Sequence, residues 1–387
     1  MNLTQATRDP VAKRRAAIYD LYGGAVGRPL SEVPTPALLL DLAAAKRNIS
    51  RMAGMLRGTH ATIRPHIKVH KSVELARMQV DAGAKGLSTA TVWEACALAW
   101  AGLDDIFVVN TVSHPEKVRV LAELARSRRV LVAVDNAANA SQLSEAARAA
   151  GSRVGVLIEV DTGMDRAGVD TEEEAIALAR HLQSCERLNF EGLTGYEGHC
   201  SLEADEQRRA IKQRAAMDTF LRIADRLEST GYPCPIRSAG GTATWNWTAE
   251  RDGVTEIQAG SYVVMDNFHG RMVPHFEHAL TVATTVISRP QGRLIVDAGS
   301  KSVDTDGGAT LIGTDLEALR FDEEHGVFTG DSELLYPVGA FLRLVPGYAP
   351  ATVNMHDVYY VTEGDLVIDV WPVFPRGPGH NGLVDVP

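Results

Sequence analysis

The sequence predicts an α/β chain: a (β/α)8 TIM-like barrel followed by a C-terminal β domain. Three observations carry this. Strand-like and helix-like segments alternate about eight times between Thr35 and Ser238, which calls for parallel strands joined by crossover helices. The count favours a closed barrel, with a doubly wound open sheet as the alternative. Near residue 275 the alternation stops, and strands punctuated by Gly and Asp turns take over. Finally, 387 residues with 45% hydrophobic content supply core for a barrel and a second domain.

The elements follow in order. Residues 1–33 are polar, with a helical patch around Val11–Leu21, and are expected to pack on the β domain or on a partner subunit. The barrel is assigned to residues 34–272. Thr35–Asp41 reads as its first strand, and Leu42 to about Leu56 has apolar positions at helical spacing. A strand carrying Lys68 comes next, then a helix over Val73–Ala82. The later pairs are Gly86–Ser88 with Val92–Ala101, Ile106–Asn110 with Glu116–Ala125, and Val130–Asp135 with Ala137–Ala150. Val154–Val160 pairs with Glu173–Gln183, Leu188–Thr194 with Glu206–Thr230, and Pro235–Ser238 is the last clear strand. In the β domain, residues 273–387, strands are expected at Ala279–Arg289, Gly292–Asp297, Glu333–Val338, Leu342–Val345, Asp357–Val361 and Asp365–Trp371.

Composition narrows the function. A formal net charge of −10, with no basic block, argues against a nucleic-acid partner. No apolar run is long enough to span a membrane, and Met1–Arg15 lacks the apolar centre of a signal peptide. The cysteines Cys96, Cys185, Cys200 and Cys234 show no CxxC spacing and read as reduced thiols of a cytoplasmic protein.

The chemistry centres on Arg64-Pro65-His66-Ile67-Lys68-Val69-His70-Lys71-Ser72. On a strand, Arg64, His66, Lys68 and His70 would share one face. A lysine at the end of such a strand, crowded by cations, should have a depressed pKa. A neutral amine is what Schiff-base chemistry needs, while a solvated basic edge is the plainer reading. Strand ends hold the active sites of barrels, and three further segments follow strands. Asp161–Val169 contains Arg166. Gly195-Tyr196-Glu197-Gly198-His199 offers a tyrosine and a histidine, of which His199 is a candidate acid/base group. Ser238-Ala239-Gly240-Gly241-Thr242, with Gln258-Ala259-Gly260-Ser261-Tyr262 behind it, has the glycines and hydroxyls of a phosphate cradle.

Arg-Pro-His-x-Lys-x-His-Lys resembles the lysine segment of the D-threonine aldolase / D-serine dehydratase family, fold-type III pyridoxal phosphate (PLP) enzymes related to alanine racemase. The resemblance runs from Thr35 to about Pro375. It implies a PLP-binding barrel with a β domain, and a homodimer. It makes Lys68, rather than Lys71, the residue that carries the cofactor. His66, Arg166, Tyr196, Ser238, Gly240, Gly241, Thr242, Gly260, Ser261 and Tyr262 fall in its cofactor-binding segments. Arg166 would meet the cofactor ring and Tyr196 would lie near the pyridine nitrogen, where a neutral hydroxyl makes a weaker electron sink than an Asp would.

The chain departs from the family in Pro346–Asp357. Metal-dependent members carry a His and, two residues on, a Cys or Asp; here Tyr348 and Pro350 stand there. The resemblance therefore implies no metal at that place, and His356, in a downstream His-Asp pair, joins His199 as a candidate for proton transfer. The implied activity is retro-aldol cleavage of a β-hydroxy-D-amino acid to glycine and an aldehyde or oxo acid. Leu342–Gly347 and Val370–Val373 resemble the 3-hydroxy-D-aspartate aldolases. Dehydration of D-serine or 3-hydroxyaspartate, and racemisation, are the alternatives. A non-catalytic PLP carrier has no evident need for a β domain.

Overall fold

The computed structural model describes residues 9–330 and 336–378. Two compact units are present: residues 9–51, 69–75 and 261–378 in one, and 52–68 and 76–260 in the other. The first strand of the chain is β1 (Ala37–Asp41). Strands β2 (Thr62–Ile63), β3 (Leu87–Thr89), β4 (Ile106–Val108), β5 (Val130–Val134), β6 (Val154–Val160), β7 (Leu188–Gly195), β8 (Ile236–Ala239) and β9 (Glu256–Ile257) follow.

β2 to β9 form one parallel sheet in the order β2-β9-β8-β7-β6-β5-β4-β3. Its ends meet: the Ser88 N–H donates to the Pro65 carbonyl (2.9 Å), and His66 bridges Ser88 in parallel register. The sheet thus closes into the expected barrel. β5 and β6 are buried at every position, as parallel strands covered on both faces should be.

Two strands differ from the sequence reading. Ala37–Asp41 is not a barrel strand; β1 pairs antiparallel with β10 (Leu280–Ser288) and parallel with β16 (Val358–Glu363). Leu38, Leu39 and Leu40 are all buried. A strand covered on both faces reads as an apolar run in either sheet. The barrel's eighth strand is β9, whose two residues are too few to show a period.

The lysine stretch is not one regular strand either. Pairing ends early, and Ile67–Val69 turns into a 3-10 helix. Arg64 is no solvated cation: it is fully buried, with Nε and Nη2 on the Glu256 carboxylate (2.8 and 2.9 Å) and Nη1 on Asp105 (2.8 Å).

The other unit is built on a mixed sheet of β1, β10, β11 (Arg293–Val296), β12 (Thr310–Leu311), β13 (Glu317–Phe321), β14 (Gly326–Thr329), β15 (Phe341–Val345), β16 and β17 (Leu366–Pro372). The helix Pro10–Tyr22, capped by the Asp9 carboxylate, packs its Ile18 with Leu30, Val33, Val358, Val367 and Val370. The N-terminal segment therefore covers the β sheet. β12, β13, β14 and the helix Ala349–Met355 had no sequence counterpart. Of the expected strand Glu333–Val338, residues 333–335 lie outside the described residues and 336–338 form no strand. Among the described residues no helix is long and apolar enough to cross a membrane, and the four cysteines are buried and unpaired.

Candidate active site

Parallel strands bring their C-terminal ends to one rim. Lys68 follows β2, Arg166 lies in the loop after β6, Tyr196 follows β7, Gly240 follows β8 and Gly260 follows β9. The Lys68 ammonium and the Arg166 guanidinium each lie 5.8 Å from the centroid of the Tyr196 ring, within cation–π range. Burial pushes the Lys68 amine below the ordinary lysine value; the Glu94 carboxylate opposes this and Arg166 adds to it. Dehydration of the amine thus outranks the crowding by cations that the sequence suggested.

Asp161 folds the loop after β6. Its Oδ1 accepts from the N–H groups of Gly163 and Met164 (both 2.7 Å) and Asp165 (3.3 Å), and its Oδ2 from that of Arg166 (3.1 Å). Arg166 stays half exposed, 3.7 Å from the Glu159 carboxylate. Burial raises the Glu159 pKa, with Arg166 pulling it back. The His199 ring lies over Gly163. Its backbone N–H donates to the Met164 sulfur (3.0 Å), and its buried Nδ1 has no hydrogen-bond partner among the described residues.

The Gly240–Thr244 loop is held from below by Glu197, which the sequence reading gave no role. Gly241 packs against Tyr196: a Cβ there would come within 3.0 Å of the ring. Thr242 is buried, and its hydroxyl has no partner among the described residues. Ser238 is tied inward, accepting from Gln258 Nε2 (3.0 Å), which also donates to the Thr194 hydroxyl (2.9 Å). His66 is buried, with its Nδ1 3.4 Å from the Lys68 N–H. Ser261 and Tyr262 belong to the other unit, where they open a 3-10 turn and the Tyr262 ring packs 5.7 Å from that of Phe276.

Residues 40–267 match the family described as alanine racemase, N-terminal domain. This chain belongs to that family. Residues 279–362 of the racemase-like enzyme match a second family, described as putative serine dehydratase domain. D-threonine aldolase of Arthrobacter sp is 37% identical over 359 residues, covering 91% of this chain and 95% of the relative. 3-Hydroxy-D-aspartate aldolase of Paracoccus denitrificans (strain Pd 1222) is 34% identical over 369 residues, covering 92% and 95%. The crystal structure of D-threonine aldolase from Filomicrobium marinum superposes with a TM-score of 0.88 at 33% identity, covering 91% of this chain and 98% of that one. The racemase-like enzymes of this group are fold-type III proteins that use PLP.

The residues on the barrel rim fit that cofactor. Lys68 supplies an amine shifted toward neutrality, and Arg166 a permanent cation. Thr242 supplies a buried hydroxyl with no partner among the described residues, as a loop built to hold a phosphate would.

A divalent metal at the family's position is a poorer fit. In the other unit Tyr348 stacks on His269 (6.0 Å, 23°) and meets Phe268 edge-on. Burial and the charges of Asp266 and Asp304 raise its pKa. Pro350, in the first turn of the Ala349–Met355 helix, has no side-chain donor. His356 Nε2 sits 2.7 Å from the Ser302 carbonyl, and burial lowers its pKa. Asp357 pairs with Arg14 and Arg376. Among the described residues no three His, Cys, Asp or Glu side chains gather as a metal site.

Proposed function

We propose that this enzyme is a lyase that cleaves β-hydroxy-D-amino acids by a retro-aldol reaction, giving glycine and an aldehyde or oxo acid. The observation that carries the reading is the arrangement of Lys68, Arg166 and Tyr196 on one barrel rim, in a chain whose D-threonine aldolase relative aligns over 91% of its length. PLP, when bound, supplies an electron sink for the pair released at Cα. Lys68 would hold the cofactor through its amine, whose lowered pKa favours the neutral form that such a bond needs. Arg166 and Tyr196 would orient the ring, and the Ser238–Thr242 loop, with Gly260, would hold the phosphate.

In the cleavage the β-hydroxyl loses its proton, the Cα–Cβ bond breaks and the hydroxyl carbon leaves as a carbonyl. Cα then takes a proton and becomes glycine. His199, whose Nδ1 has no hydrogen-bond partner among the described residues, is the proposed acceptor of the hydroxyl proton. The Lys68 amine is the proposed group that returns a proton to Cα. His356 lies in the other unit, where its Nε2 sits 2.7 Å from the Ser302 carbonyl. The same reading carries a homodimer, which sedimentation tests.

The test is to treat the holoenzyme with a chelator and offer 3-hydroxy-D-aspartate and D-threonine in turn. Glycine with glyoxylate or acetaldehyde, absent from Lys68→Ala, is the expected outcome. A 2-oxo acid with ammonia would make the enzyme a dehydratase. Turnover only after a divalent ion is restored would overturn the metal-free part of the reading.

A further inference from the structure

Glu197 is 1% exposed and sits directly after the tyrosine of the proposed site. Its carboxylate accepts three hydrogen bonds. Oε1 takes the hydroxyls of Thr244 (2.7 Å) and Thr248 (2.8 Å), and Oε2 takes the Gly240 N–H (3.2 Å). The network continues outward. The Thr244 hydroxyl accepts from the Gly241 N–H (3.2 Å), and that of Thr248 from Gln213 Nε2 (2.9 Å). One buried carboxylate thereby ties together the Gly240–Thr244 loop, the Trp245–Ala249 helix and, through Gln213, the long Glu206–Ser229 helix.

A negative charge under a loop meant for a phosphate is at first sight the wrong charge, since it repels the ligand. Its compensation is geometric. A carboxylate is acceptor-only, so every donor facing it is drawn inward and fixed. The Gly240 N–H and the hydroxyl protons of Thr244 and Thr248 are committed this way, and the Gly241 N–H is held in turn by the Thr244 hydroxyl; the Thr242 hydroxyl joins none of these bonds.

We propose that Glu197 is a positioning residue for cofactor binding, which pins the Gly240–Thr244 loop in the shape that presents Thr242 to the phosphate. The proposal rests on reading that loop as the phosphate cradle. It also accounts for glutamate rather than glutamine: an amide would put its own NH2 against either the Gly240 N–H or the two hydroxyl protons.

The experiment compares wild type with Glu197→Gln, each freed of cofactor. The probes are PLP and pyridoxal, which lacks the phosphate, with bound cofactor read from its visible absorbance. The expected result is at least about a tenfold loss of PLP affinity, the scale of one hydrogen bond to a charged group, with pyridoxal affinity little changed. Equal losses for both probes would overturn the proposal in favour of a general folding role, and no loss for either would overturn it outright. Should Glu197→Gln fail to fold, Thr248→Val removes one of the three donors. A PLP-specific loss in that variant, restored in Thr248→Ser, supports the proposal; no such loss overturns it. Wild type binding both probes equally would sink the phosphate reading of the loop itself, a result distinct from all of these.

Discussion

Asp161 and Glu197 each fold a loop at the end of a barrel strand, and they do so by opposite means. Asp161 gathers backbone N–H groups within five residues of itself. Glu197 reaches partners 43, 47 and 51 residues away and closes over them in the dry interior. The first loop is held by its own sequence and stays partly wet; the second depends on a neighbouring strand. The difference teaches where each loop is vulnerable. Water can stand in for Asp161 but has little access to the place of Glu197.

The sharpest way to break the comparison is Glu197→Ala. It leaves two hydroxyls and one N–H without their buried acceptor, and should cost about 3 kcal/mol or more of stability. Denaturant unfolding of the cofactor-free protein measures this, and a loss near zero would show that water enters. Asp161→Ala should cost only about 1 kcal/mol, the scale of a lost cap. Its larger effect should fall on kcat, because the loop carrying Arg166 loosens; unchanged kcat would detach Arg166 from the loop's order.

The smallest effect is in pH. Burial works to raise the Asp161 pKa, but the N–H groups of Gly163, Arg166, Met164 and Asp165 outweigh it and hold the carboxyl below the usual range. A depressed pKa contributes stability that is complete above the unfolded value, roughly 4, and is lost as pH falls through the folded one. Acid unfolding of Asp161→Asn should therefore show a shallower limb than wild type, and identical limbs would contradict the assignment.

The same contrast explains what the sequence disclosed. Lys68, Arg166, Tyr196 and Gly240-Gly241 stand in short segments after apolar runs, so their rim position was readable, and so was the barrel with its β domain. Glu197 lies within the Gly195–His199 segment, yet its role was hidden because its partners are contributed by a distant loop and helix. Nor does any local pattern distinguish β1, an apolar run that the β sheet claims, from a barrel strand. β9 offers two residues and no period at all. Tyr348 and Pro350 were legible as an absence of metal donors, whereas the His269 ring under Tyr348 was not.

One last consequence attaches to buried Arg64. Its guanidinium fills the space where Gly86 would carry a Cβ, which would fall 2.3 Å from Nη1 and equally close to the Asp105 carbonyl oxygen. Residue 86 is thus glycine on account of two neighbours, the Arg64 side chain and the Asp105 backbone. Shortening the side chain at 64 clears only one of the two obstructions at 86, since the Asp105 carbonyl stays, and it strands the carboxylate of Glu256. Anyone redesigning this seam must treat Arg64, Gly86 and Glu256 as a single heritable unit.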